Sequence, residues 1–364
     1  MERPALTLRS VRSRAVLAPM RRPLGTSAAR MEEAPFLLVE VETEEGATGR
    51  AHAFCYLSLA IPTMRGTVAR AGDMLAGANV EPEAIAATLA TRFALVGTAG
   101  VIGMALSALD VALWDALAVA ADVPLARLLG AERREIPAYN SNGLSLTDPA
   151  ALGDEAAALR AEGFDAIKIR LGRAAADADL RAIRAVRDAI GPDAPLMADF
   201  NQALSPGEAL ARAPALDEAG LAWIEEPVAH DDYAGCARLA DALATPVQIG
   251  ENFCGPHAMQ AALAARACDM VMPDLMRIGG VTGWRRAAAL AETAGLPVSS
   301  HLYPEVSVHL LAATPTAHWL EYVDWAEPFL AEPLRVRGGI ASVPDRPGTG
   351  LAWDEVAVAR LALD

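Results

Sequence analysis

Three acidic residues recur at equal spacing in the second half of the chain. Asp199, Glu225 and Glu251 lie 26 residues apart, and each closes a short apolar segment. If these segments are parallel strands, their carboxyl ends share one edge and the three carboxylates converge there. Converging carboxylates repel one another unless a cation neutralises them, and oxygen-only ligands suit Mg²⁺ better than zinc. The spacing predicts a magnesium site, with solvated loop acids as the alternative.

A carboxylate and a histidine close the next two apolar segments. Asp274 lies in MPDLMRIGG and His301 in SSHLYPE. A carboxylate that accepts a hydrogen bond from one imidazole nitrogen fixes the tautomer and raises the basicity of the other nitrogen. The pair therefore predicts a general base that removes a carbon-bound proton. A histidine without such a partner is more often structural, which is our interpretation of His52, His230, His257, His309 and His318.

Three further side chains occupy segment ends where they would face the same site. Lys168 and Arg170 alternate in AIKIR, so their side chains share one face of a strand. Such a pair is usually a solvated strand edge, but its place opposite the carboxylates favours a role at the site. Glu321 closes the last apolar segment and would donate to or accept from a substrate oxygen, unless it only begins a helix.

The segments that carry these residues alternate with Ala-rich helical patterns, which predicts a parallel (β/α) barrel of the TIM type over residues 133–338. The expected strands cover 136–140, 164–170, 195–201, 221–227, 246–252, 269–274, 297–302 and 318–322. An open nucleotide-binding sheet would need a glycine-rich loop after the first strand, and AYNSNGLS contains no GxGxxG. The barrel is therefore the favoured architecture.

Residues 1–132 have a different texture, which predicts an α+β unit. Strand patterns over residues 6–53 are followed by helical patterns at 63–75, 82–89 and 101–121. The last of these is apolar, but Asp110 and Asp115 interrupt it, which indicates a buried helix rather than a membrane span. We expect the tail, 339–364, to return to this unit.

Composition excludes several classes of protein. The 364 residues carry a formal net charge of −15, which argues against nonspecific binding to a phosphate backbone. The four cysteines are scattered without CxxC spacing, so neither a zinc site nor a disulfide framework is indicated and a reducing cytoplasm is expected. The Arg-rich opening has strand residues, which favours folded chain over a targeting segment. No membrane or nucleic-acid partner is predicted.

Several motifs in order resemble the mandelate racemase subgroup of the enolase superfamily. They are LVGTAGVIGMALSALDVALWDA, WIEEP, GEN, MPDLMRIGGVTGW, SSHLYPEVSVHLLAATPTAHWLE and PGTG. The resemblance implies a modified, enolase-like barrel with an N-terminal capping domain, a hydroxycarboxylate substrate and a homo-oligomer, an octamer in the racemase. It also implies that cap loops near 20–31 and 55–57 close over the barrel mouth.

The resemblance carries roles over by position. Asp199, Glu225 and Glu251 match the Mg²⁺ ligands and Asp274 with His301 the base dyad. Glu321 matches the acid that hydrogen-bonds the enolate oxygen, Lys168 the lysine beside the substrate carboxylate. Asn201 and Ser141 fall where the family contacts substrate.

One residue departs from the racemase pattern. The racemase has a second lysine as the base on the opposite face, and this chain has Arg170, whose pKa above about 12 prevents it from accepting a proton. One-base dehydration of an acid sugar is then the favoured reaction, and arginines 21, 22 and 30 make the cap loop more polar than an aryl pocket requires. The alternatives are a racemase or epimerase of mandelate or a related 2-hydroxy acid, and a noncatalytic barrel protein.

Overall fold

The N-terminal part of the protein is built on a three-stranded antiparallel sheet. The computed structural model describes residues 3–27 and 29–363, and in it the sheet order is β1-β2-β3. The strands are β1 (Leu8–Gly25), β2 (Arg30–Thr43) and β3 (Thr48–Phe54). Phe36 and Leu38 are alternate residues of β2, so they lie on the same face of the sheet, which the C-terminal segment covers through Phe329. Helices of this unit also pack against the sheet.

Four α-helices complete the described part of this capping unit, and the third is its core. They are α1 (Ile61–Leu75), α2 (Pro82–Arg92), α3 (Gly100–Ala120) and α4 (Leu125–Leu128). Helix α3 is long and apolar enough to cross a membrane, yet 78% of its most apolar window is buried inside the protein. Its two acids make internal contacts: Asp110 accepts from Thr282 Oγ1 at 2.6 Å, and Asp115 accepts from Arg50 N at 2.7 Å. The helix therefore has the buried character expected from the sequence.

The second part of the chain is a parallel barrel of alternating strands and helices. Its strands are β4 (Glu135–Asn140), β5 (Ala166–Arg170), β6 (Leu196–Asp199), β7 (Ile224–Glu225), β8 (Val247–Ile249), β9 (Met270–Val271) and β10 (Leu320–Tyr322). Each strand from β4 to β8 pairs in parallel with the next, and β10 pairs back onto β4. The helices are α5 (Pro149–Ala161), α6 (Ala176–Ile190), α7 (Pro206–Asp217), α8 (Tyr233–Ala242), α9 (Pro256–Ala264), α10 (Leu275–Ile278), α11 (Gly280–Ala294) and α12 (Pro304–Ala312).

The seventh position of the barrel differs from the expected strand. Within the described residues, 297–302 contribute isolated bridges only, which join Val298 to Val271, His301 to Asp274 and Val298 to Ala317. Pro273 has no N–H and cannot donate to a continuous ladder, and Leu302 turns the chain away with a φ of 53°. The segment still occupies the place between β9 and β10, so the barrel order is the predicted one.

The tail divides between the two units. The hairpin of β11 (Val336–Arg337) and β12 (Ile340–Ser342) joins the barrel, because β12 pairs antiparallel with β4. This corrects the expectation that all of 339–364 returns to the cap. Strand β10 covers only the second half of β4, and β12 covers the edge that is left. Helix α13 (Glu355–Leu361) does return, and Leu363 N donates to Ala15 O at 2.9 Å.

A buried histidine joins the barrel, the cap and the tail. His309 on α12 accepts from Ala126 N at its Nδ1 and donates from Nε2 to Thr349 O, both at 3.2 Å. Burial lowers the pKa of His309 to about 4, and the hydrogen bond to Thr349 only partly opposes this. The neutral ring is therefore the form that the fold requires.

We expect the His309 contacts to weaken in mild acid. Because the folded-state pKa lies below the unfolded value of about 6.5, the contribution is full above pH 6.5 and is lost as pH falls toward 4, with a loss of roughly 3 kcal/mol. Thermal melts of the parent and of His309→Asn from pH 7.5 to 4.5 should therefore converge. The exposed His257→Asn is the matched control, and a constant gap between parent and His309→Asn would contradict the prediction.

Candidate active site

The three equally spaced acids meet at the carboxyl ends of neighbouring strands. Asp199 ends β6, Glu225 ends β7 and Glu251 follows β8 by two residues. Asp199 and Glu225 are register partners across the sheet, and one oxygen from each of the three carboxylates lies within 4.8 Å of the others. Two of the three side chains are buried and Glu251 is half-buried. One βα unit per acid thus produces a single oxygen-lined cluster.

The charge balance of this cluster fits a divalent cation. Lys168 Nζ lies 2.8 Å from Glu225 and 3.6 Å from Asp199, but one ammonium does not neutralise three carboxylates. Burial, together with the charges of Asp199, Glu321 and Glu251, raises the pKa of Glu225 to about 8 although Lys168 opposes the shift. More positive charge is needed to keep the cluster ionised, and its all-oxygen donors match the preference of Mg²⁺.

The histidine and aspartate expected as a dyad are hydrogen-bonded. His301 Nδ1 lies 2.8 Å from Asp274 Oδ2, while Asp274 Oδ1 accepts from Met276 N and Arg277 N at the start of α10. These donors fix the carboxylate, so Nδ1 of the ring carries a proton and Nε2 is the nitrogen that can accept one. Nε2 lies 3.3 Å from Glu251 Oε2.

The surrounding carboxylates strongly affect the base. Burial would lower the pKa of His301, but the charges of Glu251, Glu321 and Asp274 raise it to about 10. A cation bound among the carboxylates would offset the charge of Glu251 and reduce this shift. The His301 ring is therefore coupled electrostatically to the cluster of three carboxylates.

Lys168 and Glu321 form an ion pair at the centre of the mouth. Lys168 Nζ lies 2.8 Å from Glu321 Oε1, and the other oxygen of Glu321 accepts from Leu302 N at 2.8 Å. Although burial opposes it, the charges of Lys168 and His301 hold the pKa of Glu321 below its usual range. Glu321 lies inside β10, so the alternative that it begins a helix is wrong.

Arg170 is buried and holds the loop that follows β4. Its Nη1 donates to Ser141 O at 2.6 Å and to Gly143 O at 3.1 Å, and its Nη2 donates to Ser141 Oγ at 2.9 Å. Among the described residues, no carboxylate oxygen lies within 4.0 Å of the Arg170 guanidinium, so Arg170 forms no ion pair there. The guanidinium is thus a fixed cation with neutral partners only. Ser141, expected to contact substrate, is positioned by this contact.

Asn201 orients one carboxylate of the three-acid cluster, that of Asp199. Its backbone N donates to Asp199 Oδ1 at 2.7 Å and its Nδ2 to Asp199 Oδ2 at 2.9 Å. Its Oδ1 is buried and has no hydrogen-bond partner among residues 3–27 and 29–363. The side chain therefore steadies Asp199 and has a free acceptor at the site.

The cap loop expected to close over the mouth contacts the barrel, and its arginines form ion pairs. Arg21 pairs with Glu162 at 2.7 Å and with Asp324 at 3.1 Å, and Arg22 also pairs with Glu162. Arg30 pairs with Glu32. Each of the three arginines of the loop therefore has an acidic partner, and the ion pairs of Arg21 and Arg22 join the loop to the barrel. Ala28 of this loop lies outside the described residues.

Two further hydrogen bonds hold the loop near the site. Ser27 Oγ donates to Asn201 O, and Gly25 N donates to Ser145 Oγ, both at 2.8 Å. The first of these bonds ties the cap directly to the residue that steadies Asp199.

A group of polar residues that the sequence did not predict lies beside the cluster of three carboxylates. Glu226 is buried, and Asn252 donates to both of its carboxylate oxygens at 2.9 Å. Arg277 donates to Asn252 and stacks 4.8 Å from the ring centroid of Tyr56. Glu226 in WIEEP and Asn252 in GEN each follow a predicted ligand directly in the chain. Because side chains alternate along a strand, a residue next to a ligand is expected on the face away from the site, so the sequence pattern does not predict that these two residues lie there.

A capped (β/α) barrel with three carboxylates and a histidine dyad at the strand ends defines a class of divalent-metal enzymes that act beside a carboxylate. The model of the mandelate racemase / muconate lactonizing enzyme N-terminal domain matches residues 8–130, and that of the enolase C-terminal domain-like family matches residues 151–357. The chain belongs to the mandelate racemase subgroup of the enolase superfamily.

Solved structures and curated relatives agree with this assignment. An enolase from alpha proteobacterium bal199 with bound Mg is 46% identical, covers 98% of this chain and 100% of its own, and superposes with a TM-score of 0.96. A Bradyrhizobium enolase complexed with magnesium and mandelic acid is 41% identical over 99% of both chains, with a TM-score of 0.94. L-talarate/galactarate dehydratase of Salmonella typhimurium is 36% identical over 265 residues, 72% of this chain and 67% of the relative.

Other relatives are dehydratases of sugar acids, cycloisomerases and an epimerase. The chain is therefore an enolase-superfamily enzyme, a lyase or an isomerase, that depends on Mg²⁺. The predicted family, fold class and cofactor are confirmed.

Proposed function

We propose that the enzyme removes the α-proton of an acid sugar with one base and then eliminates the β-hydroxyl, which makes it a sugar-acid dehydratase. The observation that carries this proposal is the site's asymmetry. One side of the site has the hydrogen-bonded His301–Asp274 pair, and Arg170, which matches the racemase's second lysine by resemblance, is held by neutral acceptors. The relatives named as dehydratases support the same chemistry.

Asp199, Glu225 and Glu251 would hold Mg²⁺, which when bound stabilises the negative charge that develops on the substrate carboxylate. Lys168 adds a fixed positive charge at the same edge, because Glu225 and Glu321 hold its ammonium in place. Glu321 is the proposed hydrogen-bonding partner of the enolate oxygen. Asn201 and Ser141 are the proposed substrate contacts.

His301 is the proposed carbon base. Its Nε2 accepts the α-proton while Asp274 holds Nδ1, so the ring becomes an imidazolium. The imidazolium then returns its proton to the β-hydroxyl, the C–O bond breaks and water leaves. The remaining enol tautomerises to a 2-keto acid, so the base is regenerated and the atoms balance.

A racemase or epimerase of a 2-hydroxy acid is the second candidate. The neighbour that carries mandelic acid favours it, since that structure is 41% identical to this chain. Incubation with Mg²⁺ and a set of acid sugars and 2-hydroxy acids separates the candidates: 2-keto acid formation supports the dehydratase, whereas loss of optical rotation without keto acid contradicts it. Absence of α-hydrogen exchange with every acid of the set would contradict both candidates and favour the noncatalytic alternative.

Arg170 provides a stereochemical prediction. The guanidinium stays protonated at neutral pH, so the parent enzyme should exchange the α-hydrogen of one enantiomer only, the one that presents its proton to His301. Arg170→Lys introduces a group whose pKa a neighbouring cation such as Lys168 can lower, and exchange of the mirror image should rise at least about tenfold. Proton NMR in D₂O with each enantiomer measures both rates.

Arg187→Lys is the matched control, because Arg187 also donates to backbone carbonyls, those of Gly191 and Ala194, but lies on α6 away from the mouth. It should leave the single-enantiomer pattern unchanged. Comparable exchange of both enantiomers by the parent enzyme would contradict the one-base mechanism and favour the racemase.

We also propose a cytoplasmic homo-oligomer, an octamer by its resemblance to the racemase, without nucleic-acid or membrane partners. The proposed division is a cap at 1–132 and a barrel at 133–338, with the segment at 339–364 shared between them, because β12 pairs with the barrel and Leu363 with the cap. Sedimentation velocity of the purified protein tests the assembly, and a monomer at micromolar concentration would contradict it.

A further inference from the structure

Glu226 and Asn252, which each follow a proposed metal ligand in the chain, are joined by a partly buried hydrogen-bond network. Asn252 Nδ2 lies 2.9 Å from both carboxylate oxygens of Glu226 and 3.2 Å from Oε1 of Glu251. An amide nitrogen has only two hydrogens, so the two carboxylates share them. The orientation of the Asn252 amide therefore bears directly on the Glu251 carboxylate.

Arg277 fixes that orientation. Its Nη1 donates to Asn252 Oδ1, which directs the amide oxygen toward the guanidinium and the amide nitrogen toward the two carboxylates. The backbone of Arg277 is itself held, since its N donates to Asp274 Oδ1 and its O accepts from Gly255 N. Arg277 thus links the segments that follow β8 and β9, where Glu251 and Asp274 lie.

The same guanidinium contacts the cap. Its central carbon lies 4.8 Å from the ring centroid of Tyr56, in the loop after β3. Tyr56 has a left-handed backbone with a φ of 59°, and its ring packs 4.5 Å from that of Phe54. This conformation aims the ring inward, where its hydroxyl is buried. An unbroken chain of contacts runs from Tyr56 through Arg277 and Asn252 to Glu251.

We propose that Arg277 and Asn252 are positioning residues that couple the seating of the cap loop at Tyr56 to the orientation of the Glu251 carboxylate, and so to Mg²⁺ affinity. The inference rests on the proposed metal site. Outer-shell partners of ligating carboxylates change metal affinity about ten- to a hundredfold when removed. Because such coupling is reciprocal, a seated cap strengthens metal binding and bound metal favours a seated cap.

The test is Mg²⁺ affinity measured by calorimetry on the full chain without substrate. Asn252→Ala should raise the Kd about ten- to a hundredfold. Tyr56→Leu removes the ring face under Arg277 and should raise the Kd about three- to tenfold, although Tyr56 is neither a ligand nor a neighbour of one. Tyr56→Phe keeps the ring face and should match the parent. The double variant should bind Mg²⁺ no more weakly than Asn252→Ala alone, because the Tyr56 effect acts through Asn252.

Arg285→Met is the matched control. Arg285 also lies over an aromatic ring, 5.3 Å from the centroid of Trp114, but it is half exposed and pairs with Glu83 on α2. Its removal should leave the Mg²⁺ Kd unchanged. Circular dichroism confirms that each variant is folded, and if Tyr56→Leu is not, Tyr56→Met replaces it with an expected loss of similar size.

Two results would overturn the coupling: an unchanged Kd in the Tyr56→Leu or replacement variant, or losses in the double variant that multiply. Glu251→Gln distinguishes this failure from failure of the metal site. If Glu251→Gln weakens Mg²⁺ binding while the Tyr56 variant does not, only the coupling is wrong. If Glu251→Gln also leaves the Kd unchanged, the proposed metal site is wrong.

Discussion

His301→Asn should reduce the rate of substrate α-hydrogen exchange at least about a hundredfold, the usual scale for loss of a general base. Asparagine can still donate a hydrogen bond to Asp274, so the partner carboxylate is not left unpaired in a buried position. It cannot accept a proton, however. The loss should therefore appear in kcat, measured as deuterium incorporation from D₂O and as 2-keto acid formation.

The same variant should keep its metal. His301 Nε2 lies 3.3 Å from Glu251, but the ring is not among the three oxygen ligands, so calorimetry should show Mg²⁺ affinity within a fewfold of the parent. The exposed His257→Asn serves as the control for purification and assay. Parent-level exchange in His301→Asn would mean that the dyad is structural and that another group removes the proton.

The charged centre of this site was predictable because it depends on one feature of the chain, the near-constant length of the βα unit. Asp199, Glu225 and Glu251 each occupy the end of one unit, so a 26-residue spacing places them at neighbouring strand ends. Asp274 and His301 continue the series around the barrel, and an isolated bridge joins them. Periodicity was sufficient to place these residues in one mouth.

What the sequence did not predict depends on backbone geometry at the strand ends. Glu226 has a φ of 37° and leaves the regular strand, so the alternation rule no longer gives its direction. Tyr56 reaches Arg277 from a different unit, and no local pattern relates positions so far apart. The partners of Arg21 were unreadable for the same reason, since Glu162 and Asp324 are close only after folding.

Site electrostatics required the structure as well. Lys168 was expected to act toward substrate, and the structure shows that it also balances the carboxylate cluster through Glu225 and Glu321. Arg170 has the opposite character, since it is a buried cation whose partners are neutral. The residue types alone do not show that Lys168 is paired with carboxylates and that Arg170 is not.

Glu225→Gln should weaken Mg²⁺ binding at least about a hundredfold and abolish measurable turnover at millimolar Mg²⁺. The amide keeps the size of the side chain but removes one of the three ligand charges. The affinity for a hard cation such as Mg²⁺ falls when a ligand charge is lost. Glu225 is fully buried, so no solvent-exposed acid can approach to replace it. Lys168 should stay near the cluster in the variant, because Glu321 Oε1 still lies 2.8 Å from its ammonium.

Thermal melting provides a readout of this variant that does not depend on turnover. A ligand that binds only the folded state stabilises it by RT ln(1 + [L]/Kd), so Mg²⁺ at a hundred times the parent Kd adds about 2.7 kcal/mol. The same concentration would be near the Kd of Glu225→Gln and would add about 0.4 kcal/mol. The melting temperature of the parent should therefore rise clearly with Mg²⁺ and that of the variant barely.

The exposed Glu292→Gln removes the same charge on α11 and should retain the full Mg²⁺-dependent rise, which separates loss of a ligand from a change in net charge. An undiminished rise in Glu225→Gln would mean that the cation binds elsewhere. The raised pKa of Glu225 would then reflect an ordinary buried acid, and the carboxylate cluster would need another explanation. If Glu225→Gln loses the rise and Glu292→Gln keeps it, the buried cluster is the site through which Mg²⁺ stabilises the fold.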